Sequence, residues 1–377
     1  ESAKLSAMTG ANVFYKCENL QKTGSFKVRG ACNKIANLTE EEKANGVIAS
    51  SAGNHAQGVA LGAKMTGINA TIVMPATAPL AKVTATKGYG AEVVLNGLVY
   101  DDAYAKAVEI QKETGATFLH PFNDKYVIAG QGTIGLEILE QLDGKVDTIL
   151  CPIGGGGIIA GIAVAAKGIN PNIKIVGVQT ANIPSMQESM KNGEVTTAFK
   201  STTIADGIAV KTPGDVTFEI INELVDEVVV VEEDEIAQGM LFLMENQKVV
   251  AEGAGATAAL LSGKYVPKKD ENVVCVISGG NVDVNTLYRV IGTALTKEAR
   301  RYSFNTVIQD KPGGLAELTK IISEYDANIL SANLSRSSMG GALGSLTAEL
   351  VLETFIHDHI DKLKVAITEA GFEIVEI

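Results

Sequence analysis

Cys151-Pro152-Ile153-Gly154-Gly155-Gly156-Gly157-Ile158-Ile159-Ala160-Gly161 decides how this chain is read. Residues 146–152 form an apolar run short enough for a buried strand, and 157–168 carry the small residues of a closely packed helix. Four glycines stand between them. Without Cβ atoms, successive backbone N–H groups can converge on one anion at the positive end of the helix dipole. The run is neither G-x-G-x-x-G nor G-x-x-x-x-G-K-[ST], so it supports neither a dinucleotide fold nor an ATPase. It suits a single terminal phosphate. Taken alone, it reads equally well as a tight strand-to-helix turn.

Strands and helices alternate outward from this unit. Before it, strands are predicted at 11–20, 46–50, 70–74, 91–95 and 116–120. Helices are predicted from Lys27 onward and at 54–66, 80–89, 100–114 and 127–142. After it come strands at 173–180, 227–231 and 272–277, with helices at 235–247 and 284–301. This alternation predicts an α/β fold of βαβ units around mainly parallel sheets. The first strand comes so early that a further helix is expected ahead of Glu1. From residue 302 the order becomes β-α-β-β-α-β, with strands at 303–309, 327–335, 348–353 and 372–377 and helices at 315–325 and 360–370, a ferredoxin-like pattern. Two domains are therefore predicted, 1–301 and 302–377.

The chain of 377 residues is 46% hydrophobic, enough for a large core, and carries a formal charge of -12. Residues 303–377 alone hold five basic against eleven acidic side chains. Both parts are acidic and no basic stripe appears, which argues against nucleic acid as a partner. Cys17, Cys32, Cys151 and Cys275 lie singly, with neither a CxxC pair nor metal-ligand spacing. They read as four buried, reduced thiols of a cytoplasmic protein. No apolar run approaches the roughly 20 residues of a membrane-spanning helix, and the start does not look like a signal peptide.

Three further stretches share the placement of the glycine run. In Gln21-Lys22-Thr23-Gly24-Ser25-Phe26-Lys27-Val28-Arg29-Gly30-Ala31, a lysine follows a turn and heads a helix whose apolar residues Val28, Ala31, Ile35 and Leu38 keep helical spacing. Ser25 is the expected N-cap. Lys27 then falls in the first turn, where the helix dipole disfavours the ammonium form. A desolvated lysine there is suited to be a Schiff-base amine, although an arbitrary lysine is far more often a solvated surface group. Ser50-Ser51-Ala52-Gly53-Asn54-His55-Ala56-Gln57 joins a strand to a helix start that could hold a carboxylate, with ordinary capping as the plainer reading. Ser278-Gly279-Gly280-Asn281 follows the last strand of the series. All four lie at or beside strand ends leading into helices, where open α/β sheets bind ligands. The four histidines, His55, His120, His357 and His359, form no nucleophilic triad and no metal pattern.

Taken in chain order, the lysine run, Ser51-Ala52-Gly53-Asn54-His55, the four glycines and Ser278-Gly279-Gly280-Asn281 resemble the motifs of the fold type II pyridoxal-phosphate enzymes (tryptophan synthase beta-like, two-lobed), and are most similar to those of the threonine ammonia-lyases, or threonine dehydratases. The resemblance covers residues 1–301. It implies pyridoxal 5'-phosphate as cofactor and Lys27 as the Schiff-base lysine, with Phe26 beside it. Gly154, Gly155, Gly156 and Gly157, with Ile158, would hold the cofactor phosphate. Asn54 would bond the pyridine 3-oxygen, Ser278 the ring nitrogen, and Glu252 would lie near the ring. Ser51, Ala52, Gly53 and His55 would bind substrate, and 46–122 would form a mobile smaller lobe. Cysteine synthases resemble Ser-x-Lys-Asp-Arg at the lysine, and threonine synthases also tend to have Asp there; here the run is Lys27-Val28-Arg29. Serine racemases resemble this chain more, but their reprotonating Ser is here Ala52. Their metal site would need acids at Gln179 and Ser185, so no metal is expected.

The implied reaction is β-elimination from L-threonine, with L-serine as a second substrate. Lys27 would remove the Cα proton, a neutral Ser278 would keep the ring a weaker electron sink, and the cofactor phosphate would protonate the leaving hydroxyl. Serine ammonia-lyase or serine racemase is the alternative. Residues 302–377 resemble the ACT regulatory module, with Asp310-Lys311-Pro312-Gly313-Gly314-Leu315 as its first loop. An amino-acid effector would bind around Gly313, Gly314, Leu315, Asn328 and Ile329, between modules paired in a homo-oligomer, dimer or tetramer. Isoleucine inhibition would fit a role in isoleucine biosynthesis. The stretch from Ser337 to Ser345 departs from the module's usual hairpin.

Overall fold

The computed structural model describes residues 1–199, 202–253, 255–336 and 344–376. Its contacts divide the chain into two units, Glu1–Thr286 and Leu287–Ile377.

Among its described residues the first unit holds nine strands: β1 (Asn12–Cys17), β2 (Val47–Ser50), β3 (Ala70–Met74), β4 (Glu92–Leu95), β5 (Thr117–Phe118), β6 (Thr148–Pro152), β7 (Lys174–Thr180), β8 (Glu227–Val231) and β9 (Asn272–Ile277). They make two parallel sheets, ordered β1-β9-β6-β7-β8 and β4-β3-β2-β5. Helices run from α1 (Ala3–Thr9) and α2 (Lys27–Ala36) through α3 (Glu40–Asn45), α4 (Asn54–Thr66), α5 (Leu80–Gly88) and α6 (Tyr100–Thr114). They continue with α7 (Lys125–Gln141), α8 (Gly157–Ile169), α9 (Ser185–Asn192), α10 (Asp215–Leu224), α11 (Glu233–Gln247) and α12 (Gly255–Leu261). Every residue of β2 and β6 is buried, as parallel strands with helices on both faces require.

Glycines set the helix packing that builds the site. A Cβ on Gly161 of α8 would lie 2.3 Å from the Ile128 carbonyl oxygen of α7, so these two helices meet backbone to backbone. A Cβ on Gly30 would lie 2.7 Å from the Val127 carbonyl oxygen, and one on Gly58 3.0 Å from the Lys27 carbonyl. Helix α2 is thereby held between α7 of the larger sheet and α4 of the smaller one. Arg29 secures it further. Its guanidinium donates to Glu18 at 2.7 and 2.8 Å and to Glu137 at 2.6 and 2.7 Å. Burial alone would lower its pKa, but the two carboxylates outweigh that and raise it. Glu137 is pushed down to about 2, mainly by the Arg29 contact. Arg29 in the Lys-Val-Arg run thus holds helices together.

Several details differ from the expectations: the helix expected at 284–301 ends at Lys297, and the strand expected from 303 begins at Arg301. A helix, α1, does precede the first strand within the chain, with the Ser2 side chain as its N-cap; the strand ends at Cys17 and a 3-10 turn follows at Glu18–Leu20. Helices α3, α9 and α12, of about two turns each, carry too few apolar repeats to register as periodicity, and α10, of nearly three turns, is likewise absent from the sequence expectation. The N-cap of α2 is Phe26 and not Ser25, whose side chain is buried. Finally, only Cys151 and Cys275 are buried; Cys17 and Cys32 are half-buried, and all four are free thiols.

Helix α13 (Val284–Lys297) crosses the division between the units. The second unit continues with β10 (Arg301–Gln309), α14 (Gly314–Glu324), β11 (Asn328–Ser335), β12 (Ser345–Glu353), α15 (His357–Glu369) and β13 (Val375–Glu376). Its antiparallel sheet is ordered β11-β12-β10-β13. Alternate residues Tyr302, Phe304, Thr306 and Ile308 of β10 are buried, and Phe304 and Leu350 pack with Leu318, Ile322, Leu363 and Ile367 of the two helices. This is the predicted ferredoxin-like order. Ser337 to Leu343, most of the departing hairpin, lie outside the described residues.

Candidate active site

The strand-end loops of the first unit enclose a cavity of about 760 Å³. Phe26, Lys27, Ser51, Gly53, Asn54, His55, the glycines of the 154–157 loop, Ile158, Glu252 and Ser278 all line it. Four motifs spread over some 250 positions of sequence therefore meet in one place. Ala52 is not among the lining residues; it packs against the core of the smaller sheet instead.

Lys27 is the first residue of α2, and its Nζ donates to the Pro121 carbonyl at 2.9 Å. It is only partly accessible from the cavity. Burial pulls its pKa down to about 8, against the opposing pull of Glu252. The turn ahead of it is laced to the last motif. The Phe26 N–H donates to the Ser278 carbonyl at 3.0 Å, and the Gly280 N–H donates to the Gly24 carbonyl at 2.9 Å.

The 154–157 loop is wholly buried. Each glycine is required by what surrounds it. A Cβ would lie 3.0 Å from Ile208 Cα at Gly154, 2.4 Å from the Phe122 ring at Gly155 and 3.0 Å from Phe122 Cα at Gly157. Gly156, the N-cap of α8, has φ +96° and would place a Cβ 2.7 Å from Ile221. Thr217 Oγ1 donates to the Gly155 carbonyl at 2.6 Å, turning that oxygen to the protein. The first hydrogen bond of α8 runs from the Ala160 N–H to the Gly156 carbonyl. The earlier N–H groups thus begin the helix without helical partners, as an anion seat requires.

At the opposite turn, Gly53 is the N-cap of α4 and its N–H donates to Ser51 Oγ at 3.2 Å. His55 is buried in the first turn, with Nε2 against the Leu119 carbonyl at 2.8 Å. A carbonyl only accepts, so Nε2 carries the proton and Nδ1 is a bare acceptor. Burial first, then the Lys27 charge, pushes the His55 pKa down to about 3. Among the described residues, His55 Nδ1, Ser50 Oγ and Ser25 Oγ are buried without a hydrogen-bond partner. Ser50 and His55 line the cavity, and orphaned polar atoms beside a glycine cradle fit a polar cofactor and not a dry core.

Asn54 donates to Glu252 and accepts from Asn281 Nδ2 at 2.7 Å. Glu252 is 7% exposed, and burial followed by the Asp206 charge pushes its pKa up to about 7.

Several lining residues carried no readable signal in the sequence. His120 stands on the wall, its Nδ1 accepting from the Phe122 and Asn123 N–H groups at 3.3 and 2.8 Å, its pKa lowered to about 4 chiefly by burial. A histidine before a proline at a strand end was its only hint. Phe122, Tyr100, Tyr104 and Asp206 also face the cavity. Asp206 pairs with Lys82 of α5 at 3.0 Å. Gln179 and Ser185 spend their side chains on backbone groups: Gln179 Oε1 accepts from the Gln187 N–H at 2.9 Å, and Ser185 Oγ donates to the Val210 carbonyl at 2.7 Å. Among the described residues no cluster of three or more His, Cys, Asp or Glu could hold a metal ion.

The predicted effector residues lie in the second unit. Gly313, at φ +93°, is the N-cap of α14, and a Cβ on Gly314 would lie 2.3 Å from the Gln309 carbonyl oxygen. Leu315 packs against that unit's core. Asn328 Nδ2 donates to Glu353 at 3.1 Å, and a bulge follows Ile329.

The sequence pattern of the pyridoxal-phosphate dependent enzymes matches residues 1–279. An L-threonine ammonia-lyase of Thermotoga maritima is 51% identical over 373 residues, 99% of this chain and 93% of that protein. A catabolic L-threonine dehydratase of Staphylococcus aureus is 54% identical over 289 residues, 76% of this chain and 83% of the relative. Among solved structures, the processed form of threonine deaminase isoform 2 from Solanum lycopersicum superposes with a TM-score of 0.74 at 40% identity, covering 78% of this chain and 86% of that one.

Proposed function

The chain belongs to the pyridoxal-phosphate dependent enzymes, and from that premise we propose that it deaminates L-threonine to 2-oxobutanoate and ammonia, with L-serine giving pyruvate. The observation that carries the reading is the single cavity joining a neutralisable lysine to a glycine-built anion seat.

The residues present fit the cofactor. The 154–157 N–H groups would seat its phosphate, Asn54 would face the 3-oxygen, Ser278 the ring nitrogen, and Lys27 the carbonyl carbon. Bound there, pyridoxal phosphate supplies the electron sink that stabilises negative charge at the substrate Cα. The protein does the rest. The start of α4, with Ser51 and Gly53, holds the substrate carboxylate. Lys27 Nζ, with its pKa near 8, is substantially neutral in mildly alkaline solution and takes the Cα proton as general base. Ser278 puts no charge beside the ring nitrogen, which favours prompt loss of the β-hydroxyl over longer-lived carbanion chemistry. Ala52 has no proton to deliver to the opposite face, which disfavours racemisation.

The test is Lys27→Ala, assayed for keto acid from L-threonine with pyridoxal phosphate added. A fall of about 10³-fold or more is expected for loss of the base. Full keto-acid production by that variant would remove the assignment.

The second unit is proposed as an ACT module that binds an amino acid around Gly313, Gly314, Leu315, Asn328 and Ile329 in a homo-oligomer, dimer or tetramer. Its β-α-β-β-α-β order supports this. Threonine titrations with and without isoleucine or valine, together with the solution mass, decide between biosynthetic control and an uninhibited, degradative enzyme. Four free thiols support a reducing, cytoplasmic setting.

A further inference from the structure

We infer that Asn281, outside the cavity, is a positioning residue that fixes which end of the Asn54 amide faces the cofactor site. The inference rests on the reading above, in which Asn54 contacts the ring oxygen.

An amide's oxygen and nitrogen are told apart by their partners. Asn281 lies 2.7 Å from the Thr23 carbonyl oxygen. A carbonyl can only accept, so the Asn281 atom facing it is Nδ2. The same Nδ2 lies 2.7 Å from the Asn54 side chain. Its second proton must go there, and the Asn54 atom receiving it must be Oδ1. The Asn54 NH2 group is then turned the other way, toward Glu252 and the cavity. One backbone carbonyl, acting through two side chains and together with the Glu252 carboxyl that accepts from Asn54, therefore sets that the cavity meets a donor. A phenolate oxygen needs a donor; a flipped Asn54 would offer it a carbonyl and repel it.

The backbone is shaped to keep this relay in register. A Cβ on Gly24, at φ +71°, would lie 2.3 Å from Asn281 Oδ1, so only glycine leaves room for the side chain beside Thr23. A short bridge between Ser25 and Gly279 and the Gly280–Gly24 hydrogen bond lock the two turns together. Asn54 belongs to α4 on the smaller sheet, whereas Thr23 and Asn281 flank β1 and β9 of the larger one. The relay thus fixes the ring contact of the smaller sheet by reference to the lysine turn.

The test measures pyridoxal phosphate affinity of the resolved enzyme by equilibrium dialysis, and the pH titration of the bound cofactor's absorption. Proteins are the wild type, Asn281→Ala, Asn54→Ala and the double variant. Asn281→Ala is expected to weaken cofactor binding about tenfold and to shift the spectral titration. It should add nothing further in the Asn54→Ala background, as a residue acting only through Asn54 must. Asn281→Asp, of equal size but unable to donate, should lose at least as much as Asn281→Ala; a packing role predicts the reverse. Wild-type affinity and spectrum in Asn281→Ala, or the same loss repeated in the Asn54→Ala background, would overturn the inference. If Asn54→Ala alone binds and titrates like wild type, the ring-contact reading falls and the inference with it. An Asn54→Ala loss that Asn281→Ala does not share removes the inference only. Melting of the cofactor-free variants identifies any that misfold, and Asn281→Ser replaces Asn281→Ala in the cycle should that variant be one of them.

Discussion

Two strand-to-helix turns face the cavity, and they are built in opposite ways. The turn between β6 and α8 is buried throughout, and protein occupies the place of every absent Cβ. The turn between β2 and α4 is half-buried, and among the described residues a Cβ on Gly53 would meet nothing within 4 Å. Neither helix has a side-chain N-cap among the described residues, so both starts have N–H groups to offer a ligand. The difference lies in what stands behind the backbone. Phe122, Thr217 and Ile221 make the first turn a mould that keeps one shape. The second stays open on its cavity side and carries a titratable group, His55. The roles proposed above match this: a permanently held cofactor phosphate calls for the first design, and a substrate carboxylate that arrives and leaves calls for the second.

The comparison breaks most sharply at Gly155. Gly155→Ala drives a methyl into the Phe122 ring, and overpacking of this kind costs about 1–3 kcal/mol. If the mould reading holds, most of that cost appears as weaker cofactor binding, roughly five- to 150-fold, with the second turn's handling of threonine unchanged in KM once the enzyme is saturated with cofactor. Unaltered cofactor affinity would show that the loop has slack. A middling effect is expected from acid. The His55 pKa is depressed from 6.5 to about 3 in the folded chain. The unfolded chain therefore binds the extra proton as pH falls below 6.5, and this share of stability is present above that pH and lost toward 3. Glu252, raised from 4.5 to about 7, acts in the opposite sense between those values. The quantity to read is thus the difference between wild type and His55→Gln in melting temperature across pH 4 to 7. The acid-induced fall should be shallower in His55→Gln; parallel curves would show that His55 does not titrate as argued. Smallest of all, Gly53→Ala should leave folding and cofactor affinity alone and raise the KM for threonine only severalfold. A collapse of cofactor binding in that variant would erase the distinction between the turns.

Much of this arrangement was readable from consecutive residues. The glycine run, the lysine at a helix start and the change of pattern near residue 302 each depend on neighbours in sequence, and backbone conformation and helix dipoles are local properties. The misreadings have the same root. Ser25 looked like an N-cap because it stands in the right place along the chain, yet the helix begins one residue later and its hydroxyl is buried. Ala52, which stands among cavity residues in sequence, is half-buried and packs against the core of the smaller sheet, a contact no neighbour in sequence announces. His120, Phe122 and Asp206 reach the cavity from loops whose own sequence has no motif.

By itself, then, the amino-acid sequence determined the α/β alternation, the ferredoxin-like order of the second unit, the lysine at a helix start and the four-glycine turn. Only the tertiary structure decided how those parts are charged and aimed: that Lys27 is drawn down toward neutrality by burial, that Glu252 is drawn up, and that Thr23 orients Asn54 through Asn281. The physical reason is that desolvation and hydrogen-bond direction depend on every group packed around a side chain. Those groups come from α4, β9 and the loops after β5 and β7, which no window of sequence contains together.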